Sequence, residues 1–186
     1  TSDVADGDTS SIGALMTDKG ADGFISLREA ITAANNTTGT DTINFNITGT
    51  GVHTITPATA LPIINGPVIL DATTDDSFAA NGNEPAIILD GNNLAASGLS
   101  LGSAADGSTI GGFVIRDFNG HGINIGTDSD GNTIAGNYIG RLNTSGTDAG
   151  VGEENTGSGI NIQGSTNTIG GLTIADRNII SGNTSN

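Results

Sequence analysis

Twelve residues, Asp18 to Glu29, carry oxygen donors in the order of an EF-hand-like calcium loop. Asp18 and Asp22 stand at positions 1 and 5, Gly23 at position 6 where the chain must turn, the Phe24 carbonyl at 7, Ser26 at 9 and Glu29 at 12. Position 3 is Gly20, one carboxylate short, which weakens such a site and leaves room for a water. Thr9 to Thr17 can supply the short entering helix. Calcium is the cofactor that this order implies. The same Glu29 also completes a capping box begun by Ser26, and on that reading Asp18 and Asp22 are turn formers. Asp3, Asp6 and Asp8 are too loosely spaced for a site and read as a solvated turn.

The second place with chemical potential is Arg116-Asp117-Phe118-Asn119-Gly120-His121, where a turn could gather a cation, a carboxylate and an imidazole. A lyase acting on uronates needs a base together with cations to neutralise the substrate carboxylate, and the chain has only 5 basic residues. A glycoside hydrolase needs two carboxylates facing one groove. The outward positions of the repeated strands are instead the neutral Ser100, Asn124 and Asn161. Arg116, Asp117 and His121 are therefore the catalytic residues only if the chain is an enzyme. Otherwise they are an Arg-Asp pair at a strand end beside a solvated turn histidine. His53 reads as an exposed strand residue. No nucleophile elbow, phosphate-binding loop or zinc motif is present.

The elements that position these residues come from repetition. Gly98-Leu-Ser-Leu-Gly102, Gly122-Ile-Asn-Ile-Gly126 and Gly159-Ile-Asn-Ile-Gln163 are three copies of one phrase. Each is followed by a second, Ser108-Thr-Ile-Gly-Gly112, Asn132-Thr-Ile-Ala-Gly136 and Asn167-Thr-Ile-Gly-Gly171, and then by a third ending in Val114-Ile115, Tyr138-Ile139 and Ile179-Ile180. Strands this short, bounded by turn formers and not separated by long helices, exclude a sheet built from βαβ units. Each strand is expected to pair with its counterpart in the next unit, with isoleucines stacked inside and Asn132 over Asn167, and Asn137 over Asn178, stacked at the turns. The extra residues between the second and third copies, Arg141 to Ser158, read as a loop.

The fold class expected is all-β: a right-handed parallel β-helix with an N-terminal α-helical cap, residues 1–38 forming the cap with its EF-hand-like loop and 39–186 the coils. Ser26-Leu-Arg-Glu29 opens an amphipathic helix, Leu27, Ala30, Ile31 and Ala34, suited to seal the end of the core. A sandwich of two facing sheets is the alternative, though it leaves the repeated phrases without a reason.

The 20 acidic against 5 basic residues give a net charge of −15, which repels phosphate backbones and anionic lipid surfaces alike. No nucleic-acid partner and no membrane span are expected. The 186 residues make one domain's worth of core, and the absence of cysteine excludes disulfides.

Ser26-Leu-Arg-Glu-Ala-Ile31, with Ile25 where a Cys is often found, resembles the signature of bacterial surface proteins with CSLREA-type domains. Gly51-Val-His-Thr-Ile-Thr-Pro57, Leu61-Pro62, Ile88-Leu-Asp-Gly91, Asn137-Tyr-Ile-Gly140 and Arg177-Asn-Ile-Ile-Ser-Gly-Asn183 are similar to the Asn/Gly-rich right-handed β-helix repeats that follow that signature. The resemblance covers nearly the whole chain. It implies an extracellular or bacterial cell-surface location, membership of long adhesin-like proteins and no established catalytic residues. The function expected is that of a non-enzymatic structural or adhesive module, stiffened by calcium, with carbohydrate or cell-surface ligands as partners. Fold analogy supplies the alternative, a polysaccharide lyase, hydrolase or epimerase. The chain stops at Asn186 directly after a strand phrase, so a longer parent protein is expected, together with a homodimer formed through the open C-terminal coil.

Overall fold

The computed structural model describes residues 3–185; Thr1, Ser2 and Asn186, the outer limits of the expected cap and coils, lie outside the described residues. Two short helices come first. In α1 (Ile12–Thr17) the Ser11 hydroxyl accepts a hydrogen bond from the Ala14 N–H, and in α2 (Leu27–Asn35) Ser26 caps the first turn. The spacing of Leu27, Ile31 and Ala34 puts them on one face of α2, and all three are buried in the core shared with Ile43 and Phe45.

The strands form three parallel sheets of 5, 5 and 3 members. The first holds β1 (Asp41–Asn44), β3 (Val68–Asp71), β6 (Thr109–Gly111), β9 (Thr133–Ala135) and β12 (Thr168–Ile169). The second holds β2 (His53–Ile55), β4 (Ile87–Leu94), β7 (Phe113–Phe118), β10 (Tyr138–Gly140) and β13 (Ile179–Ser181). The third holds β5 (Leu99–Leu101), β8 (Ile123–Ile125) and β11 (Ile160–Ile162). Consecutive repeats pair in register: Leu99 with Ile123 and Ile123 with Ile160, Thr109 with Thr133 and Thr133 with Thr168. All pairings between these strands are parallel, which removes the hairpin-built sandwich.

The expected all-β right-handed solenoid with its helical cap needs correction. The strands lie in three separately hydrogen-bonded parallel sheets, none closed into a solenoid, and the chain between them carries helical turns, an arrangement closer to α/β. The third sheet starts only at Leu99. Upstream of it, Ile64 makes an isolated bridge to Leu101, because Pro57, Pro62 and Pro67 interrupt that segment and a proline has no N–H to donate to a ladder. Between β3 and β4 the chain leaves the sheets for a 3-10 turn (Ala72–Thr74) and α3 (Asp76–Ala80).

One core runs through all three sheets. Ile110, Ile115, Ile123, Ile125, Ile134 and Ile139 are fully buried, and Phe45 meets Phe113 edge to face at 5.4 Å. In the outermost repeat the aligned residues Ile162, Ile169 and Ile180 are 40–45% exposed. The glycine that opens the first phrase is explained by close approach. A Cβ on Gly98 would stand 2.6 Å from the Gly122 carbonyl oxygen, and one on Gly122 would stand 2.7 Å from that of Gly159.

Turn asparagines key one repeat to the next. Asn132, Asn137 and Asn155 are fully buried. Asn137 accepts from the Phe113 N–H, and Asn178 in turn accepts from the Asn137 N–H; Asn132 and Asn167 repeat the relation with Ser108. Asn155 does the same for Phe118 although it lies in the long insertion. That insertion is more than a loop: its Leu142 packs with Ile88, Val114 and Tyr138 in a second small core.

Candidate functional site

The folded Asp18–Glu29 segment gives its carboxylates local duties. Glu29 is 1% exposed. Its Oε1 accepts from the Asp6 and Gly7 N–H groups at 2.9 and 2.8 Å, and its Oε2 accepts from the Ser26 N–H at 2.8 Å and lies 3.1 Å from the Ser26 hydroxyl. Asp18 accepts from the Gly20 N–H, Asp22 from the Phe24 N–H, and Phe24 itself is 61% exposed. Asp6, read as a solvated turn residue, accepts from the Ala21 N–H, and Asp3 forms a 2.8 Å ion pair with Arg28. The oxygens of a bidentate position-12 ligand thus face N–H donors, and the residues as folded do not fit a calcium loop. Among the described residues no group of three or more His, Asp or Glu is placed to hold a metal. Melting curves with calcium and with chelator are expected to agree within about 1 °C.

The Arg116 region is divided between two partners. The Arg116 guanidinium lies 3.0 Å from Asp90 Oδ2 and 3.1 Å from Glu153 Oε2, the second contact out of line for a hydrogen bond. Asp117, in a left-handed conformation at φ 58°, sits beside this group and is 8% exposed. His121 turns elsewhere: its Nδ1 accepts from the Ser158 N–H at 3.0 Å and its own N–H donates to the Ser97 hydroxyl. Arg116 and Asp117 are therefore neighbours among carboxylates, while no hydrogen bond or ion pair among the described residues brings His121 to them.

Burial, then the Asp90 carboxylate and more weakly Glu153, pushes the Asp117 carboxyl above its ordinary value, opposed by the Asn93 N–H and the Arg116 guanidinium. A carboxyl raised in the fold is a net cost at neutral pH, relieved as the pH falls through its folded value. Asp117→Asn keeps an acceptor for Asn93 and tolerates the same backbone. It is expected to stabilise the chain by roughly 0.5–1 kcal/mol at pH 7, because a neutral amide is buried at less cost than the carboxylate and no longer repels Asp90. The gain should vanish toward the unfolded value of 3.8, which melts at pH 7 and pH 4 check directly.

Sequence reasoning missed a third cluster and misplaced His53, whose side chain is 11% rather than largely exposed. Its Nε2 is 3.8 Å from Asp75 Oδ1 and makes no hydrogen bond. Asp75 is 2% exposed; it accepts from the Ser77 N–H and hydroxyl and, at 2.7 Å, from the Ile47 N–H. Burial pushes the Asp75 carboxyl up, but these bonds and His53 outweigh it and leave it below the usual range. The signal available in the sequence was Asp75-Asp76-Ser77, an N-cap for α3. Nothing marked Asp90 or Glu153 as partners of Arg116: Asp90 faces it through the register of β4 on β7, upstream of the repeated phrases, and Glu153 lies in the insertion.

Compared with protein-family models, curated proteins and solved structures, the chain finds no match. None of its helices is long and apolar enough to cross a membrane among the described residues.

Proposed function

We propose that the chain is a non-enzymatic structural module of an extracellular or cell-surface bacterial protein, a rigid stack of parallel strands whose outer faces present binding surfaces for carbohydrate or cell-surface ligands. One observation carries the reading: the side chains with chemical potential are spent on the scaffold. Glu29 clamps the N-terminal segment to α2, Asp75 holds Ile47 and Ser77, and Arg116 joins β4, β7 and the insertion through Asp90 and Glu153. The resemblance to CSLREA-type surface proteins and the charge of −15 support the same setting.

Reducing-end and unsaturation assays on a panel of neutral and uronate polysaccharides test it. No turnover above buffer is expected from the chain or from its Arg116→Ala and His121→Ala variants. Turnover lost in those variants would replace the scaffold with a lyase, hydrolase or epimerase.

A further inference from the structure

A cleft of about 680 Å³ lies where the outer side of the first sheet meets the segment after α3 and the turn before β13. Its size falls in the range of small-ligand sites. Its apolar surfaces are Ile69, 39% exposed, Phe78 from α3 and Ile174, 83% exposed. Its polar lining includes Glu84, Arg177 and Tyr138, with Asp71 and Asp176 at its walls. Glu84 and Arg177 lie close enough to act in opposite directions on the Tyr138 hydroxyl, which burial above all pushes up. Neither their carboxylate nor their guanidinium makes an ion pair or side-chain hydrogen bond among the described residues, unlike Asp90, Asp3, Arg28 and Arg116.

We infer that this cleft binds a neutral oligosaccharide, its apolar sugar face on Phe78 and Ile69 and its hydroxyls shared between the Glu84 carboxylate, which accepts, and the Arg177 guanidinium, which donates. A pyranose offers an apolar face ringed by hydroxyls, and this combination of a ring, a branched aliphatic side chain and uncommitted donors and acceptors matches it. Charge selects against uronates and sialic acids: Asp71, Glu84 and Asp176 line the cleft against Arg177 alone, on a chain of net charge −15. The inference rests on the binding-scaffold reading and gives it a location.

Tyr138 is the single tyrosine and there is no tryptophan, so tyrosine emission reports on this one side chain, which joins the second core to the cleft. The full chain is titrated with maltose, lactose, cellobiose and, as the anionic arm, digalacturonate. A saturable change with at least one neutral disaccharide, weakened about tenfold in Glu84→Gln and in Arg177→Gln and unaffected in Asn161→Ala, is the expected result. Because both cleft side chains are free of structural bonds, the variants should melt with the parent, and circular dichroism verifies this. Digalacturonate binding more tightly than the neutral sugars, binding that ignores both variants, or no response from any sugar overturns the cleft and leaves the non-enzymatic scaffold standing. Cleavage of a bound sugar overturns the scaffold reading beneath it.

Discussion

Glu29→Ala is expected to cost about 3–5 kcal/mol, lowering the melting temperature by roughly 6–20 °C at this chain length. The loss comes from unpaired donors. With Glu29 buried at 1% exposure, truncation leaves the Asp6, Gly7 and Ser26 N–H groups without their acceptor in a place water reaches poorly, and dissolves the capping box of α2. Glu29→Gln should cost less, about 2 kcal/mol, since one amide oxygen still accepts while its NH₂ confronts N–H donors. Ser26→Ala removes only the cap, for about 1 kcal/mol. If the chief duty of Glu29 were to ligate calcium, its variants would instead melt with the parent in chelator and differ only when calcium is present. Thermal melts of the three variants under both conditions separate these accounts.

Asn137→Ala is the second large effect, about 3–4 kcal/mol. The side chain is fully buried and joins three repeats: its Oδ1 accepts from the Phe113 N–H, and its Nδ2 donates to the Ile110 and Ala135 carbonyls and to Asn178. Alanine takes the partner from the Phe113 N–H and from the Ile110 and Ala135 carbonyls, while Asn178 keeps only the Asn137 backbone N–H. Asn137→Asp should be worse at pH 7, because it keeps the acceptor but turns two donors into a buried charge. Asn161→Ala, which loses one partly buried hydrogen bond to Asn124, should cost less than Asn137→Ala, about 1 kcal/mol. Equal losses for Asn137→Ala and Asn161→Ala in denaturant titrations would mean that the buried amides do not hold the repeats together.

The layering was legible because it is periodic. Ile123, Asn132 and Asn137 each have a counterpart one phrase away, and a phrase that recurs with its strand and its turn intact can be aligned without knowing what closes the fold. Closure was not legible. The prolines at 57, 62 and 67 and the α3 excursion lie before the first complete copy of the phrases, where no repeat reports on the chain's course. The Asp18–Glu29 segment failed differently. Calcium loops and capping boxes draw on the same residue types at the same spacing, and only the position of Asp6 and Gly7, more than twenty residues upstream, decides which groups the Glu29 oxygens meet. Arg116 was recognised as a charged centre, but its partners Asp90 and Glu153 are brought to it by strand register and by an insertion, both outside local pattern.

The central claim is that successive repeats stack as parallel strands in one register, and paired cysteines test it most directly because the chain has none of its own. Ser100, Asn124 and Asn161 occupy one outward column on adjacent strands. Neighbours in such a column are about 4.8 Å apart, within disulfide reach, whereas residues two strands apart are about 9.6 Å away and beyond it. Under mild oxidation, Ser100→Cys with Asn124→Cys and Asn124→Cys with Asn161→Cys are predicted to cross-link within one chain, and Ser100→Cys with Asn161→Cys is predicted not to. Cross-linking of the distant pair with failure of the two adjacent ones would contradict the stacked register and the scaffold built on it.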